Sequence, residues 1–165
     1  MATAPDWFDR KFDAPVSPYE RDFAAWLDNQ LQLLRRGRFD DADWENLIEE
    51  LDDLGKSQRD EVASRLAIII EHLLKLEHSA DVEPRAGWCE SLDAQRVRLA
   101  RAFVGSPSLR GHAADEVGDI YANAARKASR GVRVAEAARI PATAPYTLDQ
   151  LLDDDFIPGG RPVRG

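Results

Sequence analysis

From Trp44 to Leu76 the chain carries two apolar stripes at helical spacing with a glycine between them. Trp44, Leu47, Ile48, Leu51 and Leu54 recur at i, i+3, i+4, i+7 and i+10, which places them on one side of a helix. Glu45, Glu49 and Asp53 fall on the opposite side, with Glu50 and Asp52 at the borders of the stripe. Asp40 or Asp41 is placed to cap this helix, because a short carboxylate accepts from the free N–H groups of a first turn. Gly55 reads as its stop and Ser57 as the cap of the next helix. Val62, Leu66, Ile69, Ile70, Leu73 and Leu76 form the second stripe, widened by Ala63, Ile68 and Leu74. A helix apolar around so much of its circumference needs neighbours on several sides, so this segment is the expected core helix.

The remaining elements follow the same grammar. Ser17-Pro18-Tyr19-Glu20 is a capping box with proline at the first helical position. Tyr19, Phe23, Trp26, Leu27, Leu33 and Leu34 continue it as a stripe, and Gly37 ends it among Arg35, Arg36 and Arg38. Trp88 to Val104 reads as a fourth helix, with Arg96, Arg98 and Arg101 off its apolar side. Pro107 to Arg130 reads as a fifth, and residues 132–139 as a short sixth. Prolines at 141 and 145 impose a non-helical crossing before the capping box Thr147-Leu148-Asp149-Gln150. The expectation is an all-α, single-domain helical bundle of about five long helices plus short C-terminal helices. Its domain spans residues 17–158, with an irregular arm over 1–16 and a disordered tail over 159–165.

Composition narrows the function classes. At 165 residues, one domain buries about 70% of its unfolded surface. The longest uninterrupted apolar run is Leu66 to Ile70, too short for a membrane span. A single cysteine, Cys89, excludes an internal disulfide and a cysteine-based zinc site. With no secretory leader at Met1, a cytoplasmic location is expected. The net charge of −8 is uneven: residues 1–83 hold 20 acids against 10 bases, and residues 84–145 hold 6 against 10. An acidic chain is a poor nucleic-acid ligand, since phosphate neutralisation drives that affinity.

Several motifs together resemble a bacterial family, domain of unknown function 29. They are Tyr19-Glu20-Arg21-Asp22-Phe23 with Trp26, then Arg36-Gly37-Arg38-Phe39, then Glu45 to Leu51 with Leu54-Gly55-Lys56-Ser57. His72-Leu73-Leu74-Lys75 follows, and the C-terminal signature is Pro145 to Asp153 with Asp155-Phe156 and Pro158. The resemblance implies an all-helical fold and no assigned activity. Relatives often have a cysteine before the Pro-Tyr pair where this chain has Ala144, so thiol chemistry is not expected here.

Two function classes follow. The first is a helical protein-interaction or oligomerisation module, with Trp7, Phe8, Phe12, Phe156 and Ile157 as exposed apolar candidates and a protein partner or a second copy as the ligand. The alternative is a divalent-metal-dependent hydrolase or nuclease-like enzyme built between facing helices. Glu50, His72 and Asp22 are its candidate catalytic residues, and Glu50, Asp52 and His72 its candidate metal ligands, because carboxylates and an imidazole projecting into a bundle can hold a metal. No His-Glu-x-x-His motif, catalytic triad or phosphate-binding glycine loop accompanies them. No organic cofactor is expected.

Overall fold

The structure is a computed structural model that describes residues 17–158 and Gly160. The described residues form seven α-helices and one short 3-10 turn, with no strand. They are α1 (Pro18–Arg21), α2 (Phe23–Arg35), α3 (Trp44–His78), α4 (Arg85–Gly105), α5 (Ser108–Arg130), α6 (Val134–Ala137) and α7 (Leu148–Leu152). The chain forms two compact units, divided between Asp53 and Leu54 inside α3.

The all-helical class is as the periodicity indicates, but four long helices replace the expected five. The two segments flanking Gly55 are one helix of 35 residues. A glycine ends a helix when the chain must turn through positive φ. In a helix interior it costs only about 1 kcal/mol relative to alanine. Gly55 is not among the positive-φ glycines. No proline follows it, and the surrounding Glu, Leu, Lys, Gln and Arg residues favour helix. Ser57 is therefore interior and caps nothing.

The start of α3 also differs. Asp40 and Asp41 lie in the 3-10 turn Phe39–Asp41, and the cap is Asp43. Its carboxylate accepts from Asn46 N at 3.4 Å and Asn46 Nδ2 at 2.7 Å.

In the first unit, Ser17 caps α1 through the expected box. The helix then breaks at Asp22, whose carboxylate accepts from Ala25 N at 3.0 Å and opens α2. Gly37, at φ +71°, closes α2. Arg38 N donates to Leu33 O and Gly37 N to Leu34 O, at 2.9 and 3.1 Å. This is the Schellman arrangement that only a residue free to adopt the left-handed region makes without strain. Trp26 and Leu47 are buried here, and the Tyr19, Phe23 and Trp26 rings pack together, Tyr19 meeting Trp26 edge-on at 4.8 Å.

In the second unit, one apolar cluster joins the C-terminal half of α3 to α4, α5, α7 and Tyr146. Leu66, Ile69, Ile70, Leu73 and Leu74 are fully buried, as their wide stripe requires. Arg96 departs from its expected outward placement. It is 3% exposed, and its guanidinium donates to the carbonyls of Leu151, Asp154 and Phe156 at 2.9, 3.4 and 3.0 Å. Arg85 does the same for Leu76 and Pro158. A planar five-donor fork is suited to collecting loop carbonyls that have no helical partner. Two arginines of α4 thus hold the C-terminal signature in place.

Candidate interaction surface

The first unit leaves much of its apolar surface uncovered. On α3, Trp44, Ile48 and Leu51 are 48%, 63% and 66% exposed, and Leu54 just beyond them is 59% exposed. Phe23 and Leu31 on α2 and Phe39 in the 3-10 turn are exposed as well. Helical geometry explains which side is covered. Leu47 and Glu50 point towards the partner elements, Leu47 buried and Glu50 bonded to Tyr19. Ile48 and Leu51 lie further around the helix, with Trp44 a turn earlier. With only 13 residues and a short preceding turn, α2 is too small to cover both.

The surface is held rigidly from beneath. Trp26 Nε1 donates to Asp43 Oδ2 at 3.0 Å, and Asp43 N donates to the buried Gln30 Oε1 at 2.8 Å. These bonds fix the start of α3 against α2. The Asn46 amide bond, followed by the Trp26 bond, holds the Asp43 carboxyl below the usual carboxylate range. Trp44 is oriented by its Nε1–H, which donates to Phe39 O at 2.9 Å. Acids dominate the charge along the α3 part of the surface: between Arg38 and Lys56 the chain has eight acids and no base. An exposed apolar surface rimmed by charge is characteristic of a docking site rather than a solvated helix side.

The residues singled out as chemical candidates are placed as follows. Asp22 is the exposed cap of α2. Glu50 accepts from the Tyr19 hydroxyl at 2.5 Å, and this bond, with burial second, pushes the Tyr19 phenol up to about 12. Asp52 is exposed on α3. His72 is half-buried in the second unit. Its Nδ1 has no hydrogen-bond partner among the described residues, and burial, then Lys75, pushes its imidazole down. The facing pair of helices on which a shared site rested is one helix, α3. Among the described residues no group of three or more His, Cys, Asp and Glu side chains is arranged to hold a metal ion.

The C-terminal end of α3 carries a second polar group of contacts. Tyr146 donates to Glu77 Oε2 at 2.5 Å, and burial and that bond push its phenol well up. Lys75 bonds Glu71 at 2.6 Å and packs over Gly131, where an added Cβ would lie 2.8 Å from Lys75 Cε. These pairs are internally satisfied and tie the Pro145-Tyr146 signature to the helix bearing the His-Leu-Leu-Lys motif.

Of the apolar candidates, Phe156 and Ile157 tuck back onto the bundle, as their place after the last short helix suggests, and pack against the core. Trp7, Phe8 and Phe12 lie outside the described residues. The exposed set on α3 is Trp44, Ile48, Leu51 and Leu54, whose spacing reads as core. The available signal was the shortness of α2 and the unbroken acidity of the helix, both of which argue against a deep pocket for this stripe.

No helix among the described residues is long and apolar enough to cross a membrane. Neither a curated protein sequence nor a solved structure matches the chain. A family model does match, over residues 18–157, covering the first unit's helices, the whole of α3 and the C-terminal signature up to Phe156, and the chain belongs to the family described as Domain of unknown function DUF29.

Proposed function

We propose that the protein is a cytoplasmic protein-interaction module whose docking element is the apolar side of α2 and the N-terminal half of α3. The exposure of Ile48 and Leu51 carries this reading. Fully burying two such side chains contributes about 1.5–3 kcal/mol each, enough to anchor an interface. Trp44 adds an aromatic whose polar end is already satisfied by Phe39 O, so docking would strand no donor. The Trp26–Asp43–Gln30 lock supplies preorganisation, which reduces the entropy lost on binding.

The reading is tested by comparing wild type with an Ile48→Ser/Leu51→Ser variant as baits in extract of the producing cells, quantified by mass spectrometry. Both positions are surface sites, so the variant keeps its helical circular dichroism. A partner, including the chain itself, that is retained by wild type and lost from the folded variant supports the module. Identical capture by both baits overturns it.

A further inference from the structure

The second unit contains a surface with the opposite charge to the arm formed by α2 and the N-terminal half of α3. A groove of about 600 Å³ runs between α3 and α5. Ala67, Ile68 and Ile120 give it an apolar floor, and Arg126, Lys127 and Arg130 line one side. Arg126 is engaged by the Asn123 side-chain oxygen. Lys127 and Arg130 have no ion-pair partner among the described residues. They sit in the last turn of α5, where the dipole favours cations but does not neutralise them.

We propose that this groove receives the acidic, apolar arm of a second copy of the chain. This inference rests on the arm being a docking element and names its partner. The complementarity is twofold. Ile48 and Leu51 meet an apolar floor, and the acidic side of the same helix, with Glu45 next around from Ile48 and Glu49 beyond it, meets Lys127 and Arg130. Charges so arranged also fix which groove is used. A second groove of about 430 Å³ beside α4, with Val97, Phe103 and Val104, is apolar too. There Arg110 is bonded to Asp149 at 2.7 Å, Arg96 is committed to the C-terminal carbonyls, and Asp154 adds an acid. An arm with no base between residues 38 and 56 finds no unpaired cation there and is attracted to the α3–α5 groove. The same cations would draw a nucleic acid only weakly, because the chain as a whole carries −8.

The experiment is a charge exchange read by sedimentation velocity and native mass spectrometry on the full chain. Wild type is expected to associate above 18.5 kDa as its concentration rises. Lys127→Glu/Arg130→Glu and, separately, Glu45→Lys/Glu49→Lys each weaken association about tenfold, which is about 1.4 kcal/mol for two lost charge pairs. An equimolar mixture of the two variants recovers it, because each offers a reversed surface to the other. Association by the groove variant at wild-type strength, or a mixture that fails to recover, overturns the groove assignment. If Ile48→Ser/Leu51→Ser still abolishes association in that case, the docking arm stands without this groove. A wild type that stays at 18.5 kDa while its arm captures a different protein overturns the second copy and leaves the module reading intact.

Discussion

The two halves of α3 have similar apolar spacing and opposite environments. From Val62 to Leu76 the stripe is covered on every side, with Leu66, Ile69, Ile70, Leu73 and Leu74 fully buried. From Trp44 to Leu54 Leu47 alone of the stripe is buried, and the rest is about half exposed or more. Periodicity is a property of the helix, whereas burial depends on how many elements surround it. The C-terminal half shares its cluster with α4, α5 and α7. Among the described residues the N-terminal half has α2, the 3-10 turn before it, Tyr19 of α1 and little else. One half is therefore core and the other is exposed apolar surface, the one the proposed function assigns to docking.

Substitutions can break that comparison, and the largest effect is expected in the buried half. Leu66→Ala or Leu73→Ala should destabilise by about 2–5 kcal/mol, the range for a deleted core side chain and its cavity. Leu51→Ala should stay within about 0.5 kcal/mol in the monomer, as surface changes do. Denaturant melts at low protein concentration measure both, and equal losses would mean that the halves are not different environments.

Next in size is Arg96→Ala, which leaves the buried Leu151 carbonyl without its donor. It should destabilise by about 1–3 kcal/mol and increase protease cleavage near residues 151–158. An unchanged cleavage pattern would remove Arg96 from its holding role.

Gly55→Ala sharpens the comparison at the point where the halves join. Gly55 has no positive φ, and an added Cβ meets only the mobile end of Arg59 at 3.4 Å. Alanine there should stabilise by about 1 kcal/mol. Destabilisation would indicate a break in α3 at this position.

The smallest expected effect is with pH. His72 has a depressed pKa, so its unfolded form takes up a proton that the folded form resists. Its contribution is fully present above about 6.5 and is lost as pH falls below that value towards the folded-state pKa. Thermal melts between pH 7.5 and 5.5 should therefore show a steeper decline in wild type than in His72→Gln. Parallel declines would contradict the assignment.

The helical class, most helix boundaries and the core helix were legible because stripes and caps are local. Ser17, Gly37 and Thr147 act as their types suggest. Gly55 misleads because a glycine's meaning depends on whether the chain needs to turn there. Arg96 was not legible, since its partners lie more than fifty residues away and are backbone carbonyls that sequence does not distinguish. Glu136 is similar. It is buried and accepts from the amides of Ala80 and then Arg133, which together hold its carboxyl below the usual range. The exposed arm was half legible. Its stripe and its acids are visible, but whether a stripe is covered depends on the size of neighbouring elements.

The most direct measurement is the concentration dependence of mass for wild type and for Ile48→Ser/Leu51→Ser, by sedimentation equilibrium from about 1 to 100 μM. Wild type is predicted to rise above 18.5 kDa, while the variant stays at that mass with its helical signal unchanged. Equal behaviour of the two, whether both associate or neither does, would contradict self-docking through the arm.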